Sequence, residues 1–242
     1  MCSEASGRRL LGAPLSRRAV LASVLASTGL LPPAGTSGRP AIRPRSAWAG
    51  ATCPVRAAMP SEAPGNVRVL LVHHSETGNS YGSMQVPAIL RSFYRYHVGK
   101  GWPDIAYNFL VDRYGGIWEG RAGSLAQPVM PSATGGSQGY SQIACWVGNH
   151  RATAPTAAAQ RSMISLLAWL AKRYVIDTAP GATTSFVSRG SSKWPRRAPV
   201  TTRTIEGHRS MSSTTDCPGD AAYAIVKRTF QRDVSRAMTG WT

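Results

Sequence analysis

The stretch that decides the fold is Val67-Arg68-Val69-Leu70-Leu71-Val72-His73-His74-Ser75. Its run Val69 to Val72 is apolar and carries β-branched residues at both ends, which predicts a buried strand over Val67–His73. Neighbouring side chains on a strand face opposite ways, so His73 and His74 cannot both reach one metal ion. A histidine at a strand end is held more rigidly than one in a loop, which makes His73 the candidate ligand. A second stretch, Gly207-His208-Arg209-Ser210-Met211-Ser212-Ser213-Thr214-Thr215-Asp216-Cys217-Pro218-Gly219, puts a histidine and a cysteine in one polar loop. Imidazole and thiolate are preferred ligands of Zn²⁺. Two ligands do not make a catalytic centre, and His73 supplies a third. Taken alone, the loop also reads as a surface turn with a buried cysteine.

Around these two stretches the chain alternates strands and helices. Val86, Ile89, Leu90, Phe93 and His97 recur at three- and four-residue spacing and predict a helix over Val86–Val98, with Pro87 tolerated in its first turn and Gly99 and Gly101 ending it. Ile105–Val111 and Gly116–Glu119 read as a hairpin about Arg113-Tyr114-Gly115, with Tyr107 inside the first strand. Gln142–Val147 reads as a strand stopped by Gly148-Asn149. Thr156 caps a long helix to about Tyr174, with Ile164, Leu167, Ala168 and Ala171 inward. Ala179–Arg203 is basic and rich in Gly, Ser and Pro, and reads as a surface loop with one short strand at Ser185-Phe186-Val187. Asp220 to about Arg236 reads as a closing helix. The expectation is one α/β domain over residues 67–237, with a central mixed β-sheet flanked by helices and the metal site at the strand ends.

Residues 1–37 read as an export signal. Ser16-Arg17-Arg18-Ala19-Val20-Leu21 resembles a twin-arginine signal, and the apolar run Ala19–Leu31 is too short and too rich in Ala and Ser for a stable membrane anchor. An ordinary secretory signal that holds two arginines is the alternative. Residues 38–66 form a Pro/Gly-rich lead-in that Trp48 and Val55 are expected to pin to the domain.

The formal net charge is +17. Residues 1–37 hold four arginines and one glutamate, so the exported chain keeps about +14, a field that favours an anionic cell wall. The basic residues are scattered, apart from Arg196-Arg197 and Lys227-Arg228, and no nucleic-acid motif accompanies them, so the charge reads as serving the wall or solubility rather than nucleic acid. Cys2 leaves with the signal. With Cys217 on the metal, Cys53 and Cys145 are free to form a disulfide in an oxidising compartment; a buried free thiol at Cys145 is the alternative reading.

Several stretches together resemble one family, the zinc-dependent type 2 N-acetylmuramoyl-L-alanine amidases, and within it the peptidoglycan recognition proteins of actinobacterial type. They are Val72-His73-His74-Ser75, Gly101-Trp102-Pro103-Asp104-Ile105-Ala106-Tyr107-Asn108-Phe109-Leu110-Val111-Asp112, Trp118-Glu119-Gly120-Arg121, Gly207-His208-Arg209 and Cys217-Pro218-Gly219-Asp220. Arg45-Ser46-Ala47-Trp48 adds weaker support. The resemblance implies that His73, His208 and Cys217 bind Zn²⁺, that Tyr107 lies beside the metal, and that Thr215 is the polar residue two before the cysteine. Three departures stand out. The family's substrate-associated histidine is Ala133 here, a family asparagine is Gln138, and the His208–Cys217 interval is one residue longer, which makes Thr214 the fallback for Thr215.

The chemistry agrees with those residue types. An amide hydrolase must make a nucleophile from water and stabilise an oxyanion, and three-ligand zinc with an open position serves both ends. The Tyr107 phenol can donate to the oxyanion; read alone, it is as well a core tyrosine on a strand. No carboxylate is an obvious general base. Glu119 is a candidate, or a structural partner of Arg121. His97 reads as a packing residue near Trp102, His150 as exposed, and Trp169 and Tyr174 as helix packing. The expected function is a secreted, monomeric amidase that cleaves the lactyl–L-alanine bond of peptidoglycan. The rival is a peptidoglycan- or muropeptide-binding module without turnover, which Ala133 favours.

Overall fold

A computed structural model describes residues 38–137 and 140–240. The export segment with its paired arginines and Cys2, and Gln138, lie outside the described residues. Strands β1 (Ile42–Arg43), β2 (Val69–His74), β3 (Phe109–Val111), β4 (Ile117–Glu119), β5 (Ser141–Trp146) and β8 (Ile205–Gly207) form one mixed sheet in the order β1-β4-β3-β5-β2-β8. Only β3 and β4 pair antiparallel; β5, β2 and β8 run parallel side by side. All six residues of β2 are buried, as an apolar run covered on both faces requires.

Alternation along β2 sends Leu70 and Val72 to one face and Val69 and Leu71 to the other. On the first face lies α2 (Ala157–Tyr174), which buries Met163, Leu166, Leu167 and Leu170. Thr156 caps it by accepting the Ala159 N–H at 3.1 Å. The closing segment joins this layer. As the sequence suggests, it is one continuous helical stretch, α3 (Asp220–Ile225) running through a π-helical turn Val226–Phe230 into α4 (Gln231–Thr239). Val226, Phe230 and Val234, four residues apart, all face inward.

The second face is split. Helix α1 (Val86–Gly99) covers Leu110, Trp118 and Cys145 with Val86, Leu90, Phe93 and Tyr94. Val69, Leu71 and Ile143 are covered by Phe186 and Val200. These two belong to a hairpin, β6 (Thr183–Val187) with β7 (Pro199–Arg203), where a loop with one strand is expected from sequence. Pro199 opens β7, a position where its missing N–H costs the ladder little.

The lead-in also contributes structure. Ile42 and Arg43 pair parallel with β4, and Trp48 is buried with its indole N–H donated to Glu119 O at 2.7 Å. Val55 does not pin it, being 43% exposed. The expected Cys53–Cys145 disulfide is absent: both are buried free thiols. The Cys145 thiol donates to Trp146 O at 3.4 Å, and both cysteines fill space in the α1 cluster as small apolar groups.

Candidate metal centre

The parallel strands β5, β2 and β8 end at the same edge of the sheet. Their register sets His73 opposite Cys145 and Val72 opposite Gly207, so His208, the next residue, emerges level with His73. The two imidazoles stack with centroids 4.3 Å apart. Cys217 returns to them on the loop after β8, and its Sγ lies 3.4 Å from the His74 backbone N–H. One ligand atom from each of His73, His208 and Cys217 falls within 4.8 Å of the others.

Two glycines allow this closure. A Cβ at Gly207 would stand 2.7 Å from Pro218 Cδ and 2.8 Å from the Tyr223 ring. Gly219 has φ +86°, and a Cβ there would meet the His150 carbonyl at 2.4 Å.

The donor set fits a zinc ion. His73 is buried, and its Nε2 has no hydrogen-bond partner, which is costly for a buried polar atom unless a ligand takes it. Burial holds His73 well below the usual histidine range and His208 at about 4, so both rings are neutral at pH 7 and carry a lone pair. Burial also pushes the Cys217 thiol up to about 12, so a cation must displace its proton. Two neutral imidazoles and one thiolate are a three-ligand set with a fourth position left open.

The cluster forms the floor of a cavity of about 720 Å³. Tyr107 lies on its wall, 5.6 Å from His73 and 5.3 Å from His97 between ring centroids. It is not inside a strand, because β3 starts at Phe109. The preceding residues run as a loop, tied by the Arg121 N–H to Tyr107 O at 2.8 Å. Burial pushes its phenol far above the usual value and keeps it a neutral donor.

Thr215 and Thr214 both line the cavity. Thr215 Oγ1 accepts the Cys217 N–H at 3.1 Å, while Thr214 Oγ1 shares a 3.2 Å bond with Ser212. Thr215 therefore sits closer in bonding to the candidate ligand. Ala133 also lines the cavity, in a left-handed conformation at φ +60°.

Glu119 is far from base chemistry. Its two oxygens accept the Arg45 and Leu125 N–H groups, and Arg121 spends its guanidinium on Ile105 O, Met130 O and Ser132 Oγ instead.

Three histidines outside the cluster have definite roles. His97 stacks on Trp102 at 5.1 Å, as the sequence suggests, but it also lines the cavity. Its Nδ1 accepts the Ala106 N–H at 3.2 Å, which places the ring proton on Nε2 as a donor. Sequence periodicity shows only that His97 is on the inner face of α1. His74 turns away from His73, and its Nδ1 accepts the His150 N–H at 3.1 Å. His150 is buried, not exposed, with its edge against Trp146 and its Nδ1 3.0 Å from Thr153 O.

These features define a single-domain α/β protein with a His–His–Cys cluster at the floor of a deep cleft. The chain belongs to the N-acetylmuramoyl-L-alanine amidase family (Amidase_2), whose sequence profile matches residues 63–220. A human N-acetylmuramoyl-L-alanine amidase (Homo sapiens) is 32% identical over 193 residues, 78% of this chain; the chain spans only 28% of that protein's length. Peptidoglycan-recognition protein SC2 of Drosophila simulans is 27% identical over 178 residues, covering 72% of this chain and 78% of its own. The fold is shared with human PGRP-IBETAC, solved in complex with glycosamyl muramyl pentapeptide, at a TM-score of 0.57 and 21% identity, over 78% of this chain and 96% of that one.

Proposed function

We propose that the chain is a secreted, zinc-dependent N-acetylmuramoyl-L-alanine amidase that hydrolyses the amide between the lactyl group of N-acetylmuramic acid and L-alanine of the peptide stem. The observation that carries this reading is the convergence of His73, His208 and Cys217 at the floor of the cleft, beside the Tyr107 phenol. His73, His208 and Cys217 would hold the ion. Zinc in such a site supplies a Lewis acid for the carbonyl and lowers the pKa of a coordinated water to about 7.

The chain's own residues do the rest. Tyr107, kept protonated by burial, donates its O–H where charge grows on the substrate's carbonyl oxygen. Thr215 fixes Cys217 through its backbone N–H and keeps its own hydroxyl proton available to the substrate side. His97 offers Nε2–H to position an acceptor on the muropeptide. Phe93 and Trp102 on the cleft wall give the sugar or peptide an apolar surface.

Export past the cytoplasm, by the twin-arginine route in a bacterium, brings the protein to its substrate, and its net positive charge suits an anionic wall. Among the described residues no helix is long and apolar enough to cross a membrane. The test combines metal analysis with release of free stem peptide from purified peptidoglycan. One zinc per chain with peptide release is expected, and full activity in metal-free protein would sink the zinc mechanism. A second reading, a peptidoglycan-binding module without turnover, is favoured by Ala133, which leaves the cleft wall without the family's histidine. Binding without release would decide for it.

A further inference from the structure

Beside the candidate metal centre lies a second group, His74, Glu76 and Asp216, whose ligand atoms also fall within 4.8 Å of one another. Its chemistry rejects a metal. His74 Nδ1 is already an acceptor for the His150 N–H, so Nε2 carries the proton and has no lone pair to give. A cation already stands among the carboxylates: the Arg151 guanidinium. Its Nη2 is 2.5 Å from Glu76 Oε1, and it meets Asp216 twice, Nε to Oδ2 at 2.6 Å and Nη2 to Oδ1 at 3.1 Å.

These two carboxylates sit on the two segments that deliver the ligands. Glu76 follows His73 by three residues on the exit from β2, and Asp216 directly precedes Cys217. The backbone around Arg151 engages the same region. Arg151 O accepts the Ala221 N–H at 3.1 Å at the start of α3, and the absent Cβ of Gly219 lets the loop rest on the His150 carbonyl. Glu76 has φ +59°, a conformation that a residue with a side chain seldom adopts unless outside contacts hold it.

We propose that Arg151 is a positioning residue for the metal centre, a clamp whose guanidinium holds the His73 and Cys217 segments together by bridging Glu76 and Asp216. The proposal rests on the zinc reading for its main readout. Without the guanidinium, two carboxylates within a few ångströms repel each other and drive the two segments apart. The pairs are half-exposed, so their weight in global stability is small; their effect falls on the local geometry that zinc affinity reports. Partners bonded directly to metal ligands are worth about 10–100-fold in affinity, and Arg151, which acts through the residues beside the ligands, is expected at the low end of that range.

The experiment uses the zinc-loaded full chain, with zinc affinity measured by competition against a chromophoric chelator. Arg151→Gln should weaken zinc about tenfold or more. Arg151→Lys should recover part of the loss, and Arg232→Gln, at an exposed pair on α4, should change nothing. In a Glu76→Gln/Asp216→Asn background, Arg151→Gln should cost little further, because the repulsion is gone.

A second readout needs no metal: the alkylation rate of Cys217 in chelator-treated protein. Cys217 is 5% exposed, and Arg151→Gln should speed its labelling. Equal labelling rates in wild type and Arg151→Gln overturn the clamp whatever the metal does. So does equal zinc affinity, or a full loss of affinity on top of the neutralised background. Wild-type protein that binds no zinc overturns the zinc reading alone and leaves the labelling comparison to judge the clamp. Should Arg151→Gln not fold, Glu76→Gln and Asp216→Asn break the same bridges from the other side and carry both readouts.

Discussion

Tyr107→Phe separates an amidase from a binding module. The substitution keeps the ring, and with it the contacts to His73 and His97 at 5.6 and 5.3 Å between centroids. It deletes one hydroxyl, which burial holds protonated. Loss of a single neutral hydroxyl should cost about 1 kcal/mol of stability or less. The cost in turnover is of another size. A donor that engages oxygen only as charge develops contributes to the transition state and little to the ground state. Removing one such donor lowers kcat on the order of 10²–10³, or about 2.7–4 kcal/mol. The assay is stem-peptide release from purified peptidoglycan, run beside zinc content and thermal unfolding of the same preparation. Zinc content should not change, because no ligand has. A Tyr107→Phe protein with wild-type kcat and lowered stability would refute the reasoning and return Tyr107 to the status of a wall residue.

His208→Ala should take zinc content from one per chain to none and abolish peptide release, since only two ligands remain; retention of stoichiometric zinc would contradict the assigned set. Under denaturing, non-reducing conditions Cys53, Cys145 and Cys217 should all react with a thiol reagent once zinc is chelated, whereas a single reactive thiol among them would restore the disulfide. In metal-free protein, burial holds His74 and His97 at about 4, below the unfolded value of 6.5. Between those values the unfolded chain binds more protons, so this stabilisation is complete above pH 6.5 and is lost as pH falls toward 4. Unfolding temperatures at pH 7, 5.5 and 4.5 should therefore fall in that order, and a flat profile would contradict the burial argument. Thr156→Ala removes the cap of α2 and should cost about 1 kcal/mol by chemical denaturation, with zinc affinity unchanged.

Much of this molecule is legible in its sequence where the signal is local. The apolar run of β2, the three-and-four spacing of α1 and the Thr156 cap of α2 each depend on residues near one another in the chain, and the structure places all three where the sequence puts them. His73, His208 and Cys217 converge as their residue types suggest, with the strand-end position first pointing to His73 and the family resemblance agreeing. What escapes is nonlocal or is decided by one atom. Whether His97 packs or donates depends on a bond from the Ala106 N–H to one ring nitrogen, which periodicity cannot register. His150 looks exposed because it follows a strand in a polar stretch, yet its neighbours His74 and Gly219 come from distant segments. β7 opens on a proline among charged and polar residues and reads as loop, until its pairing with β6 shows an isolated hairpin. The Arg151 bridge joins residues 76, 151 and 216, and nothing near any one of them signals the other two.

β8 is a three-residue strand at the edge of the sheet, with β2 as its only neighbour, and it leads straight into His208. None of the three described cysteines forms a crosslink. An ion shared by His73, His208 and Cys217 would therefore act as a tether across a span of roughly 135 residues, a length at which closing the chain is worth on the order of 4–5 kcal/mol in the entropy model for crosslinks. The weakest edge of the sheet would then be fastened by the same atom that serves the chemistry. On the proposed zinc reading, loss of the ion would remove that tether, and the edge strand would then be held by its pairing to β2 and its packing alone.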